Sequence, residues 1–286
     1  MAASGVWAGD KMPAQSRGKT VAVLIALVVA VAAGVGGGYL LWGRATDWYA
    51  VKNPATLPAG AENDLVRYGR DLVINTAELI GRGASDPALA YAGNDLKCTN
   101  CHINAGLKPF AAPFVSTYAS YPLMVDDRVI TLPERINGCM TRSMNGRPMP
   151  EDSREMEAII AYIRYLGVGT PEGVRVAGMG LMPLPPPAEA PSAARGQAAF
   201  EATCVRCHGG DGQGTLGVPP LWGDGSFNAA AGMADLRMAA AFIRVNMPWG
   251  VNYLDPLLSG QQAWDLAAFI DQKPRPPRPA GSLPGD

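Results

Sequence analysis

Histidine is almost missing from this chain: there are two in 286 residues. A closed zinc site takes four Cys or His ligands, and the five cysteines and two histidines present fall in an order that supplies no such set. Four of the cysteines form two Cys-x-x-Cys pairs, each followed at once by one of the histidines. That leaves no stock for a disulfide framework, and a thioredoxin-like pair needs no trailing histidine. Charge is scarce as well, at 17% of residues with a formal net charge of −1, which removes nucleic acid as a partner. Glycine and proline are plentiful, 34 and 25 residues, a mix that suits small, loop-rich domains wrapped around a prosthetic group.

The pairs read Cys98-Thr99-Asn100-Cys101-His102 and Cys204-Val205-Arg206-Cys207-His208. Cys-x-x-Cys-His is the attachment signature of c-type haem. Two thiols at this spacing bond both vinyl groups of one porphyrin, and the adjacent imidazole meets the iron from one face. Two covalent haem c groups are therefore expected, held by Cys98, Cys101 and His102 and by Cys204, Cys207 and His208. No histidine remains for the opposite face of either iron, so the sixth ligands come from the twelve methionines, the spare Cys139 or another donor.

For the second haem the expected ligand is Met247, in Asn246-Met247-Pro248, on a loop between two helical patterns. Met233 and Met238 are its rivals, with Met238 inside a helical pattern and expected to pack in the core. For the first haem, Met149 and Cys139 compete. From Arg128 to Met149 four arginines face the single acid Glu134, a cationic setting that favours thiolate and attracts small anions.

Along the chain, a polar stretch at 1–20 carrying Lys11, Arg17 and Lys19 precedes the uncharged run Val21–Trp42, long enough to cross a bilayer at about 20 residues. Basic residues before it put the N-terminus in the cytoplasm and the rest across the membrane. Ala30-Val31-Ala32 fits a signal-peptidase site, but the run continues to an aromatic boundary at Tyr39 and Trp42, which favours a retained anchor at 21–42. Residues 62–167 read as one cytochrome c domain: a helix with Leu65, Tyr68, Leu72 and Val73 near one face and a stop at Gly81, the haem pair, a Pro-rich loop, and a closing helix with Met156, Ile159, Ile160, Ile163 and Leu166 in register. Residues 168–191 read as a linker. Residues 192–272 repeat the order, with a Pro219-Pro220-Leu221 stretch whose carbonyl can orient His208 and a Ser259-x-x-Gln262 capping box opening the last helix. The tail 273–286 is Pro-rich and reads as disordered. The expected fold is mainly α, two cytochrome c-like haem domains in tandem behind an N-terminal transmembrane helix.

The first-domain loop resembles the thiosulfate dehydrogenase family of dihaem c-type cytochromes. The residues that carry the likeness are Cys98-Thr99-Asn100-Cys101-His102, Lys108-Pro109-Phe110, Arg135-Ile136-Asn137-Gly138-Cys139 and Arg142-Ser143-Met144-Asn145-Gly146. The resemblance implies that His102 and Cys139 hold an active-site iron, that His208 and Met247 hold an electron-transfer iron, and that Arg135, Arg142 and Ser143 serve the anionic substrate. The implied reaction joins two thiosulfates into tetrathionate, or oxidises a related sulfur anion, and sends two electrons out through the second haem to a redox partner protein or a quinol-linked complex. Met124-Val125-Asp126-Asp127-Arg128 departs from the basic stretch expected there. With the anchor, those acids make the alternative a membrane-anchored dihaem electron-transfer subunit of a larger oxidoreductase. Either way the haem domains are expected on the periplasmic side of the bacterial inner membrane.

Overall fold

The computed structural model describes residues 48–278 apart from Asp126 and Leu216, together with Val28, Ala30 and Val31. Its contacts divide the chain after Asp47, and the architecture below is that of the second unit. Among the described residues no helix is long and apolar enough to cross a membrane; the expected anchor at 21–42 lies, but for those three residues, outside them.

Six helices of eleven residues or more build the haem domains: α1 (Ala61–Ile74), α2 (Leu132–Arg142), α3 (Arg154–Leu166), α4 (Ala193–Thr203), α5 (Leu236–Asn246) and α6 (Gly260–Asp271). Their starts follow the capping chemistry of the sequence. The Ser259 hydroxyl accepts from the Gln262 amide while Gln262 accepts from the Ser259 amide, closing the expected box at 3.1 and 2.8 Å. Thr131 and Glu134 make the same exchange at the head of α2, with Pro133 in its first turn. One difference concerns α1: it stops at Asn75, and a separate turn, Thr76–Ile80, carries the chain to Gly81. A two-stranded antiparallel hairpin, β1 (Leu123–Val125) with β2 (Arg128–Ile130), pairs Leu123 with Ile130 and Val125 with Arg128.

Both domains are closed by the same device. α1 packs on α3, and α4 packs on α6, each through a glycine on the earlier helix. A Cβ on Gly69 would lie 1.8 Å from the Ala158 carbonyl oxygen, and one on Gly196 would lie 1.9 Å from that of Asp265. An aromatic residue four positions on, Tyr162 or Phe269, covers each crossing. Below the first crossing Leu72, Val73, Ile80, Met156 and Leu166 are fully buried. The second core is smaller and aromatic: Phe200, Trp222 and Phe269 meet with ring centroids 5.3–5.9 Å apart.

Two stretches outside the expected domains are docked on them. Within the expected linker the Gly178 and Gly180 carbonyls accept from the Phe110 and Ala112 amides at 2.7 and 2.9 Å, and Val176 is buried, so this segment runs docked along the first domain. The tail expected to be disordered from Lys273 is anchored as far as Arg278. Its Pro274 and Pro276 carbonyls accept from Gly223 and Ala229, and Lys273 and Arg275 lie over Phe269 and Phe227 at 4.2 and 4.4 Å. Residues 279–286 lie outside the described residues.

Candidate active site

The first haem motif opens on a 3-10 turn, Cys98–Asn100. Thr76, wholly buried at the start of its short helix, holds that turn: its hydroxyl accepts from the Cys98 amide at 3.1 Å and reaches the Cys98 sulfur at 3.4 Å. His102 follows, with Nδ1 2.5 Å from the Ala112 carbonyl oxygen. That carbonyl is aimed by an uncommon backbone, Phe110 and Ala112 both having positive φ, 59° and 46°. Such conformations cost about 1–3 kcal/mol each outside glycine, and the docked linker holds them. With Nδ1 committed, the imidazole presents Nε2, the tautomer a metal ligand needs.

What Nε2 faces is Cys139. The thiol lies within hydrogen-bonding reach of the His102 ring, on the middle of α2. Both residues line one mostly apolar cavity, partly open to solvent and with about 740 Å³ of atom-free space when that open part is counted, together with Cys98, Cys101, Phe114 and Ser143. Arg135 stands one turn before the sulfur, with Nη1 3.5 Å from Sγ. Arg142 is buried and folds back, its Nε donating to the Gly138 carbonyl at 3.0 Å. A Cβ at Gly138 would come within 2.7 Å of that guanidinium. Burial pushes the Cys139 thiol up, but Arg135, the His102 hydrogen bond, and the charges of His102 and Arg142 outweigh it and bring the thiol from 9.0 down to about 6. Cys98 and Cys101, in the same cavity without such neighbours, are pushed by burial up to about 11 and 12.

The structure thus brings together Cys98, Cys101, His102, Cys139, Arg135, Arg142 and Ser143 and leaves others out. Met149 is buried in the main core and is absent from the cavity wall. Of the four arginines in the loop only Arg135 and Arg142 bear on the sulfur; Arg128 pairs with Glu134 at 3.6 Å, and Arg147 lies over the Tyr91 ring. Asp127 sits exposed in the β1–β2 turn, and Asp126 is outside the described residues. Sequence reasoning missed Phe227 and weighed Met233 only as a rival ligand of the second haem, yet both come from the second domain and line this first cavity with Met140 and Met144. No local motif announces a residue that acts across a domain boundary.

The second motif lies on the helical turn Val205–His208. His208 Nδ1 is 3.0 Å from the Pro219 carbonyl oxygen, the orienting contact expected from the Pro-Pro stretch. Met247 caps α5 and packs, half-buried, against Ile103, Ala111 and Phe242. Met238 is on α5 but 37% exposed, so it is not the core residue its helical register suggested. The donor sets suit haem c: in the first cavity two thiols, an imidazole with its outer nitrogen already bonded and an apolar wall converge on one space.

Comparison with known proteins agrees. Residues 91–171 match the family model "SoxA/TsdA, cytochrome c domain", and residues 193–273 match that of cytochrome c. The chain is 39% identical over 238 residues to thiosulfate dehydrogenase of Thiomonas intermedia, covering 80% of this chain and 72% of that one. It is 38% identical to thiosulfate dehydrogenase of Allochromatium vinosum, covering 78% and 82%. The chain belongs to the thiosulfate dehydrogenase family. The solved structure of thiosulfate dehydrogenase (TsdBA) from Marichromatium purpuratum superposes with a TM-score of 0.68 at 34% identity, over 77% of this chain and 48% of that one, so this chain spans about half of that protein. As a dihaem member of the family it has two cytochrome c domains and binds two haem c groups covalently.

Proposed function

We propose that this protein is an oxidoreductase that oxidises thiosulfate, joining two molecules into tetrathionate with release of two electrons. The observation that supports this reading most directly is the facing pair of His102 and Cys139 in the cavity of Cys98 and Cys101, with the competing Met149 locked in the core. In this reading Cys98 and Cys101 hold the first haem by thioethers, and His102 and Cys139 meet its iron. Cys204, Cys207 and His208 hold the second, with Met247 assigned to it by its place after α5. When bound, the two haem c groups would supply one-electron oxidation and a path outward, the second, with methionine as its ligand, being the better electron sink.

The chain's own residues do the rest. Arg135 and Arg142 offset the charge of two dianions that repel each other in water, and they keep the Cys139 sulfur anionic and nucleophilic. The Ser143 hydroxyl, in the same wall, is placed to bond a sulfonate oxygen. Phe114 lies tilted against the His102 ring, centroids 4.4 Å apart, and backs the imidazole. The uncharged run at 21–42 is read as a retained anchor that keeps both domains on the periplasmic side of the inner membrane, within reach of a redox partner.

Steady-state assay of the purified dihaem protein with thiosulfate and an artificial electron acceptor tests the reading. Turnover is expected in the wild type and is lost in Cys139→Gly. Undiminished turnover in that variant, or silence of the wild type toward thiosulfate, defeats it.

A further inference from the structure

The last turn of α2 is held from outside its own domain. A helix leaves its final carbonyls without intrahelical donors; in α2 those of Cys139 and Met140 accept from the Met144 and Gly146 amides, and that of Arg142 accepts from Asn145 at a long 3.4 Å, which leaves Thr141, Arg142 and the following Ser143 to be met from elsewhere. The Asn228 side-chain amide donates to the Thr141 carbonyl at 2.8 Å and to Asn145 Oδ1 at 3.1 Å, and the Asn228 backbone amide donates to the Arg142 carbonyl at 3.2 Å. Asn94 completes the set, its amide donating to the Ser143 carbonyl and to the Ser226 carbonyl, both at 3.0 Å. Asn94, Ser226 and Asn228 all have zero exposure. Between the last two stands Phe227, which lines the cavity of Cys139 and carries Arg275 over its ring.

We propose that Asn228, borne by the second haem domain, is a positioning residue for Cys139: it fixes the turn that presents the sulfur and Ser143 to the first haem. This rests on reading Cys139 as the ligand of that haem. The side chain is suited to the task because it has no freedom to do anything else. Both amide hydrogens are spent on α2 and the turn after it, while its own Oδ1 accepts from the Ala230 amide at 3.0 Å, so the orientation of the amide, oxygen end and nitrogen end alike, is fixed. Removing the donors leaves the buried Thr141 carbonyl and the half-buried Asn145 Oδ1 without them, on a turn whose first residue is one step from Met140 and two from Cys139. The second domain would then set the geometry of the first site, and would do so through hydrogen bonds that involve neither iron.

The test uses the full dihaem protein with Asn228→Asp, which keeps the shape and replaces both donors by acceptors. Asn228→Ser is the milder companion, keeping one donor if the first variant fails to fold. Low-temperature EPR of the oxidised protein separates the narrow g spread of a thiolate-ligated low-spin haem from the wider His/Met signal. The expected result is a shifted or split narrow-g signal with the His/Met signal unchanged, kcat lower by about tenfold or more, and KM within about threefold. Asn94→Ala, which removes the donor to Ser143 from the other side, is expected to move the same signal. A lowered melting temperature with wild-type EPR and kcat would mean that Asn228 only holds the domains together, and overturns the proposal alone. A wild type without the narrow-g signal overturns the Cys139 assignment and this proposal with it.

Discussion

Asn137 holds Met149 by both backbone groups: its side-chain amide donates to the Met149 carbonyl at 2.9 Å, and its Oδ1 accepts from the Met149 amide at 2.8 Å. The clasp ties the loop after α2 back onto the helix and buries the Met149 side chain in the core. It also keeps the Met149 sulfur out of the cavity wall in which Cys139 stands, because Asn137 and Cys139 are two residues apart on α2 and point to different sides. The same turn of helix that withdraws one candidate presents the other.

Met149 is therefore expected to be a packing residue. Met149→Leu, close in volume, should cost less than about 1.5 kcal/mol of stability and change turnover with thiosulfate less than twofold. Visible and EPR spectra of the oxidised protein should match the wild type. Loss of a haem signal in this variant would reinstate Met149 as an iron ligand.

The pH dependence of stability should be read in the second domain. Asp265, 3% exposed, accepts from Arg195 Nε at 2.7 Å, Arg195 Nη2 at 2.9 Å and the Ser192 amide at 2.8 Å. Burial alone raises its carboxyl, but the Arg195 and Ser192 bonds outweigh burial and hold it below the ordinary 3.8. Between the two values the unfolded chain binds more protons than the folded one, so stability rises with pH there. The contribution is full above 3.8 and disappears as pH falls through the lowered value. Melting curves of wild type and Asp265→Asn should differ most at neutral pH, and the gap should close as the solution is acidified. A gap that stays constant with pH would show that the carboxylate charge is idle.

Much of this was legible in the residues and some was not. Haem attachment follows from covalent chemistry at fixed spacing, and the Ser259 box from local hydrogen bonding, so a string of letters carries both. The His208–Pro219 contact was legible for the same reason, a short loop returning to its own motif. Asn94, Phe227 and Asn228 were not, since a buried asparagine looks like any turn residue until the chain that it caps is found about 85 residues away in sequence, as Thr141 is for Asn228. The docked tail escaped for a related reason: proline forbids helix and strand ladders but not stacking of neighbouring Lys273 and Arg275 on aromatic rings.

Gly69 and Gly196 belong to no motif in the sequence, yet they set how closely the helices cross. A methyl at either would strike backbone oxygen, at 1.8 and 1.9 Å, which cannot swing aside as a side chain can. Gly69→Ala and Gly196→Ala should each cost about 2–3 kcal/mol or more, despite alanine's better helix propensity. Chemical denaturation followed by far-UV circular dichroism measures this. A stabilised variant would mean that the crossing is looser than these distances.

The tail supplies the last test, because it bridges both sites. Lys273 lies over Phe269 and Trp222, at the second core, and Arg275 lies over Phe227, in the wall of the first cavity. The Pro274 and Pro276 carbonyls pin Gly223 and Ala229, so the loop that carries Phe227 and Asn228 is gripped between α2 on one side and the tail on the other. Ending the chain after Gln272 removes that grip without touching any residue assigned to an iron. Each of these half-buried cation–π contacts contributes about 0.5–2 kcal/mol, and the two backbone bonds add about 1 kcal/mol each, so the global loss should stay within a few kcal/mol. Amide exchange of residues 223–229 should nonetheless rise, since local opening no longer breaks the tail's bonds. Hydrogen exchange read by mass spectrometry checks this peptide by peptide. Exchange in 223–229 that is unchanged, with α6 alone loosened, would show that the tail serves only the helix from which it emerges.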